Sequence, residues 1–128
     1  MKRVVMLVTV FLVLTGCNTS RPLYNVKNAA VTSGSGSPVT MVGVRRAIVL
    51  AATQKGWVMK EMGAGRLQAT INVRKHMAQV LIAYTPRSYS ITYQDSHTLE
   101  YDGATIHRNY NKWIRKLEGL INSHLSRL

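Results

Sequence analysis

Acidic and histidine side chains lie close together between residues 95 and 107, where three of the five acids and two of the four histidines occur: Asp95, His97, Glu100, Asp102 and His107. Carboxylates and imidazoles are the groups that bind a metal ion or exchange protons in acid/base catalysis. Their spacing matches no metal-binding signature such as H-E-x-x-H, and a polar surface loop whose acids complement the start of a helix is the commoner explanation. We therefore predict no enzyme and no cofactor. A small metal-binding or hydrolytic enzyme that uses this loop is the alternative.

A single thiol is the other chemically distinctive group. Cys17 is the only cysteine, and it ends an apolar run over residues 4–14 that follows Lys2 and Arg3. This order of charged, apolar and small residues is typical of a secretory signal. As a helix the run is ~16 Å long, about half of a ~30 Å hydrocarbon core, so we do not expect it to span a membrane. With one cysteine, no intramolecular disulfide can form.

The tetrapeptide Leu14-Thr15-Gly16-Cys17 resembles the lipobox of bacterial lipoproteins. The resemblance implies that residues 1–16 are a signal peptide, that Cys17 carries a diacylglycerol, and that the new amino terminus is acylated. Two or more acyl chains anchor a protein stably where one binds marginally. Asn18 follows the cysteine instead of aspartate, which in this resemblance favours the periplasmic face of the outer membrane over the inner membrane. A secretory signal with a coincidental cysteine, or a buried free thiol, is the alternative.

A basic stripe follows the 95–107 loop. At ~100° per residue of helix, four cations fall within an arc of about 100°: Arg108, Lys112, Arg115 and Lys116. Removing Lys2 and Arg3 from the 17 basic residues leaves 15 against 5 acids, a formal net charge of +10. The stripe lacks the interleaved exposed aromatics that single-stranded nucleic acid requires, so we predict no nucleic-acid partner.

The expected counterpart of this charge is an anionic surface of the envelope. Anionic lipid, lipopolysaccharide phosphates and an acidic envelope protein all fit, because basic residues act on such surfaces within a Debye length. The candidate partner-binding residues are His97, Tyr101, His107, Arg108, Lys112, Arg115 and Lys116. A solvated helix face that only keeps the domain soluble is the alternative, as is a purely structural envelope component.

The elements that must position these residues begin after a linker. Residues 17–39 are poor in large apolar side chains and contain a Ser/Gly run at 33–37, so they are predicted to be a lipidated flexible tether with an r.m.s. reach of ~25 Å. An added edge strand over residues 23–26 is the alternative for that part of the segment. Thr40 is the predicted N-cap of a first helix that ends before Gly56. Thr105 is the predicted N-cap of a second helix with apolar residues at helical spacing up to Leu125.

Between the two helices the sequence predicts a sheet. Polar and apolar residues alternate over 66–93, and a fourth strand is predicted at 57–61. Pairing apolar with apolar positions places Val73 opposite Ala78 around a turn at residues 75–76, and Tyr84 opposite Tyr89 across residues 85–88. The predicted fold is thus α+β: a two-layer sandwich of helix, four-stranded antiparallel meander and helix, with both helices on one sheet face, in one domain over residues 40–128.

Two further segments carry a family resemblance. Ser96-His97-Thr98-Leu99-Glu100-Tyr101 and the run from Ile106 to Ile114, IHRNYNKWI, resemble segments of small uncharacterised lipoproteins of Gram-negative bacteria. The likeness covers most of residues 42–121. It implies an envelope location and an α+β domain, and it brings no activity. The sequence therefore predicts a non-enzymatic, lipid-anchored binding or assembly module of the envelope.

Overall fold

The computed structural model describes residues 18–128. Cys17 and the predicted signal peptide lie outside the described residues. The described elements, in chain order, are β1 (Ser20–Pro22), β2 (Val26–Ala30), α1 (Met41–Gln54), β3 (Val58–Glu61), β4 (Arg66–Val73), β5 (His76–Tyr84), β6 (Ser88–His97), β7 (Thr105–His107) and α2 (Arg108–Leu125).

The chain is an α+β protein built around an antiparallel sheet of five strands in the order β2-β6-β5-β4-β3, with a separate two-stranded sheet of β1 and β7. Alternate residues of β4, β5 and β6 are buried, so the large sheet has one buried face and one wet face. Residues of both helices join that buried face in a single hydrophobic core. The core is therefore shared by the sheet and the two helices.

The two helices begin in different ways. The hydroxyl of Thr40 accepts a hydrogen bond from the Gly43 amide at 3.0 Å, which confirms the predicted N-cap of α1. The predicted N-cap of α2 at Thr105 is wrong, because residues 105–107 form strand β7. His107 caps α2 instead, and its Nδ1 accepts from the Asn109 amide at 3.1 Å. Ile106 is fully buried, but from a strand and not from the helix.

The four predicted strands are present as β3 to β6, and the meander gains β2 as a fifth strand beside β6. Residues 20–30 were expected in the flexible tether, yet they form β1 and β2. The Ser/Gly run is also attached, because the Ser33 hydroxyl donates to the Leu128 carbonyl oxygen at 2.8 Å and the Gly34 amide to that of Ser126 at 3.1 Å. Strand pairing at residues 20–30 and hydrogen bonds from residues 33–34 to the residues after α2, which composition does not reveal, hold this segment on the domain.

The predicted register is right for one hairpin and wrong for the other. Tyr84 lies opposite Tyr89, as expected. In the β4–β5 hairpin, Val73 lies opposite His76 and not opposite Ala78, so the pairing is displaced by two residues. The turn is formed by residues 74–75, with Arg74 at a φ of 56°. A displacement of two keeps the same side chains on the buried face, so the alternation of apolar residues cannot distinguish these registers.

Candidate anion-binding groove

An open groove of about 570 Å³ runs between the N-terminal segment and the first two turns of α2. One wall is the extended chain at residues 21–24, and the other is the outward face of the helix. The residues that line it are Arg21, Pro22, Leu23, Tyr24, Arg108, Asn111, Lys112 and Arg115. Half of the groove's lining thus comes from residues that the sequence places in the tether.

A buried amide holds the two walls together. Asn111 is 4% exposed and is the only polar side chain in the core of the described residues. Its Nδ2 donates to the Pro22 carbonyl oxygen at 2.8 Å, and its Oδ1 accepts from the Tyr24 amide at 3.0 Å. The Leu23 amide donates to the Ala104 carbonyl oxygen at 3.0 Å. Because buried polar groups need partners, this set of bonds fixes the position of the segment on α2.

Tyr24 joins the groove to the next turn of the helix. Its hydroxyl donates to Oε1 of Glu118 at 2.8 Å, and the Arg115 guanidinium carbon lies 4.3 Å from the centre of its ring. The hydrogen bond to the carboxylate, with burial adding to it, raises the pKa of the Tyr24 hydroxyl. Arg115 is therefore oriented by the aromatic ring beneath it, with its guanidinium still beside the groove.

The groove is cationic, and in the part of the chain that the structure describes none of its cations lies within ion-pair distance of a carboxylate. Within residues 18–128, the ion pair between Arg45 and Glu61 is the one present. The guanidinium of Arg21 donates to backbone carbonyls, those of Asn18 and Ser20, both at 2.9 Å. The side chains of Arg108 and Lys112 are exposed to solvent. Guanidinium and ammonium groups gathered in this way suit phosphate or carboxylate oxygens, which accept several charge-assisted hydrogen bonds.

A second groove of about 310 Å³ lies on the other side of Lys112, which lines both grooves. Lys116 lines it with Arg74, Asn109, Val73, His76 and Trp113. The rings of His76 and His107 stack with their centres 6.3 Å apart, and Nδ1 of His76 lies 2.7 Å from the Thr98 hydroxyl. The predicted basic stripe therefore separates two grooves, and Arg108 and Arg115 belong to the first.

The other predicted site residues, His97, Tyr101 and His107, line neither of these two grooves. His97 ends β6 opposite Met77 and is exposed. The ring of Tyr101 packs on that of Tyr93 with the centres 4.1 Å apart. His107 uses its Nδ1 to cap α2, and it lines neither groove.

The 95–107 loop uses a carboxylate for its own structure. Asp102 accepts from the amides of Thr105 and Ala104 at 2.6 and 2.9 Å and from the Thr105 hydroxyl at 2.8 Å. These bonds lower the pKa of Asp102 to about 2. Among residues 18–128, no three His, Cys, Asp or Glu side chains are grouped so that they could hold a metal ion. Asp102 therefore stabilises a turn over residues 102–105 that precedes β7 and α2.

Sequence reasoning missed the residues that complete the groove. Arg21 and Tyr24 lie in a segment whose composition suggested a tether, and only their partners on α2 give them a position. Asn111 offered a signal, because it is a polar residue between Tyr110 and Ile114 at the border of the apolar face of the helix. A carboxamide in that place indicates a buried hydrogen-bonded partner.

No protein-family model, curated protein or solved structure matches this chain. Within the part of the chain that the structure describes, neither helix is long and apolar enough to cross a membrane.

Proposed function

We propose that this chain is a non-enzymatic lipoprotein of the Gram-negative envelope, anchored through acylated Cys17 at the periplasmic face of the outer membrane, whose domain binds an anionic partner in the groove on α2. The observation that carries the proposal is the set of four groove cations, Arg21, Arg108, Lys112 and Arg115, none of which is in an ion pair within residues 18–128. The lipobox supports the anchor, and the formal charge of +10 after the signal peptide supports an anionic counterpart.

Charge supplies enough free energy for such binding. A basic residue near an anionic surface contributes ~1 kcal/mol, and the four groove cations together contribute ~4 kcal/mol. Interactions of this kind weaken as salt shortens the Debye length from about 10 Å at 0.1 M to about 3 Å at 1 M. We therefore expect binding that is measurable at low ionic strength and is lost in high salt.

Charge reversal tests the groove. The chain from Asn18 to Leu128 contains every described strand and helix, and its binding to vesicles of phosphatidylglycerol is measured by co-sedimentation. The triple variant Arg108→Glu, Lys112→Glu, Arg115→Glu should bind at least about 150-fold more weakly, because it loses three contributions of ~1 kcal/mol.

The matched control carries the same change of net charge outside the groove. Lys60, Arg66 and Arg127 are exposed and line neither groove, so Lys60→Glu, Arg66→Glu, Arg127→Glu should bind more tightly than the groove variant. Circular dichroism shows whether both variants are folded. Equal loss in the two variants would mean that net charge alone attracts the domain, and the proposed groove would be rejected.

The anchor is tested separately by the intact mass of the protein purified from its own membrane. The expected mass is that of residues 17–128 with a diacylglycerol and an acylated amino terminus. A mass that includes residues 1–16, or that corresponds to an unmodified thiol, would contradict the lipoprotein assignment.

A further inference from the structure

The first described residues are held directly against the start of α2. The Arg108 amide donates to the Thr19 carbonyl oxygen at 2.9 Å. Strand β1 then pairs with β7, with Ser20 opposite His107 and Pro22 opposite Thr105. The chain therefore leaves the domain beside Arg108, at the end of the cationic groove.

This attachment shortens the expected distance between anchor and domain. Cys17 precedes Thr19 by two residues, and two residues of extended chain reach at most ~7 Å. A free tether up to residue 39 would have allowed ~25 Å. With the hydrogen bond of 2.9 Å between Thr19 and Arg108 added, an acylated Cys17 would be attached at most ~10 Å from the Arg108 amide, which is about one Debye length at 0.1 M ionic strength.

The cations are arranged around the same point. Arg21 is two residues after Thr19, and Lys112 is one helical turn, ~6 Å along the axis, beyond Arg108. Arg115 follows in the next turn and is oriented by the Tyr24 ring. Charged groups that lie within about one Debye length of a bilayer surface interact with its headgroups with little screening by salt.

We propose that the groove binds the phosphates of anionic phospholipid headgroups in the same bilayer that holds the N-terminal acyl chains. This inference rests on the proposed function and adds the partner and the orientation. Because the anchor already holds the domain at the membrane, binding of headgroups in the groove mainly determines the orientation of the domain relative to the bilayer. The solvent-exposed face of α2 then lies towards the bilayer, and the wet face of the large sheet lies on the side away from the bilayer.

The test uses the full acylated protein reconstituted in vesicles. Because the chain has one cysteine and acylation consumes it, a second cysteine is the only free thiol for a fluorescent probe. Gly119→Cys places the probe on the outward face of α2, two turns beyond Lys112 and outside the groove lining, so all four groove cations are kept; Thr92→Cys places it on the wet face of the sheet, opposite the core. The vesicles contain a lipid with a quencher on its headgroup.

In phosphatidylglycerol vesicles we expect the probe at position 119 to be quenched about fivefold more than the probe at position 92. In vesicles of phosphatidylcholine alone, and after Arg108→Glu with Arg115→Glu, the difference should fall to less than twofold. Added inorganic phosphate should also reduce the difference in quenching, because it competes with the headgroup phosphates for the groove.

Equal quenching of the two probes in phosphatidylglycerol vesicles, or the same difference in phosphatidylcholine, would overturn the inference. If the groove variant then still failed to bind lipopolysaccharide or an acidic protein that the control variant binds, the proposed function would stand with a partner away from the anchoring bilayer. Failure of the proposed function has a different signature, because an unmodified Cys17 is detected by mass and would accept a second probe.

Discussion

The two helices contribute to the same core but present different surfaces to solvent. On α1 the outward residues include apolar side chains, Val42 at 66% and Leu50 at 50% exposure, and Arg45 is paired with Glu61 on β3. On α2 the outward residues include the four cations of the basic stripe, which line two grooves. Both helices bury their inward residues fully, so the core requires no cations on either of them.

The difference indicates which helix carries the binding surface. A helix that only covers a sheet can have a mixed outer face, as α1 has. Like charges within one or two turns of each other destabilise a helix by a few tenths of a kcal/mol per pair. The concentration of cations on α2 therefore has a cost in stability, and an anionic ligand in the groove would offset it.

The largest expected effects should be equal in the two helices. Ile48 of α1 and Ile114 of α2 are both 0% exposed. Ile48→Ala and Ile114→Ala each remove buried methyl groups and leave a cavity, so each should reduce the free energy of unfolding by about 2–5 kcal/mol in urea denaturation. A loss below 1 kcal/mol at either position would show that this helix does not share the core.

The next effect is specific to α2. Asn111→Ala leaves the Pro22 carbonyl oxygen and the Tyr24 amide without their partner, which should cost about 1–3 kcal/mol. Amide hydrogen exchange should accelerate at Leu23 and Tyr24, and vesicle binding should weaken because one wall of the groove is released. Asn109→Ala is the control, since its side chain makes no such bond, and should change stability by less than about 0.5 kcal/mol. Unchanged exchange at residues 23–24 would refute the role of Asn111.

The cap of α1 should matter for stability alone. Thr40→Ala removes the acceptor for the Gly43 amide and should cost about 1 kcal/mol in thermal or urea unfolding. Vesicle binding by the folded protein should not change, because Thr40 lines neither groove. Thr40→Ser, which keeps the hydroxyl, should restore most of the stability; failure of the serine to do so would argue against capping.

A small gain is expected on α2. Gly119 lies on the exposed side of the helix, and a Cβ there would meet no atom within 4 Å. Gly119→Ala should therefore raise the free energy of unfolding by about 0.5–1 kcal/mol. Gly65→Ala should do the opposite, because Gly65 has a φ of +71° and its Cβ would lie 2.8 Å from the Tyr84 carbonyl oxygen. Destabilisation by both substitutions would show that Gly119 has a structural neighbour.

The smallest effect is a pH dependence at the turn before α2. The pKa of Asp102 in the folded protein is about 2, below its ordinary value of 3.8, so the ionised carboxylate stabilises the fold above pH 3.8. This contribution is lost as the pH falls through about 2. The melting temperature of Asp102→Ala should consequently decline less between pH 4 and pH 2 than that of the parent protein, because this interval spans the two pKa values. Parallel declines would exclude the contribution.

Local signals in the sequence predicted the parts of the fold that depend on near neighbours. The Thr40 cap, the extent of α1 and the Tyr84–Tyr89 pairing follow from capping, helical spacing and alternation over a few residues. The predicted β4–β5 register differs from the observed one by two residues, because alternation of polar and apolar residues is the same after a shift of two. The turn at Arg74 also lacks a typical turn residue that would have located it.

Of the two walls of the groove, the sequence predicted the one on α2 and missed the one at residues 21–24. Helical rotation was enough to place Arg108, Lys112 and Arg115 on one face, and the structure puts them along one groove. The opposite wall depends on hydrogen bonds across more than eighty residues, between the Asn111 side chain and the backbone of Pro22 and Tyr24, and no local pattern encodes such a pairing. Thr105 was misassigned for the same reason, because only the distant β1 makes residues 105–107 a strand.

The most direct test of the central claim compares the two helices in one measurement. Backbone amide chemical shifts of residues 18–128 are followed by NMR while micelles of short-chain phosphatidylglycerol are added. The expected changes are concentrated at residues 21–24 and 108–116, with the outer face of α1 unaffected and with no changes when phosphatidylcholine replaces the anionic lipid. Changes of equal size along α1, or the same response to both lipids, would contradict an anion-binding groove on α2.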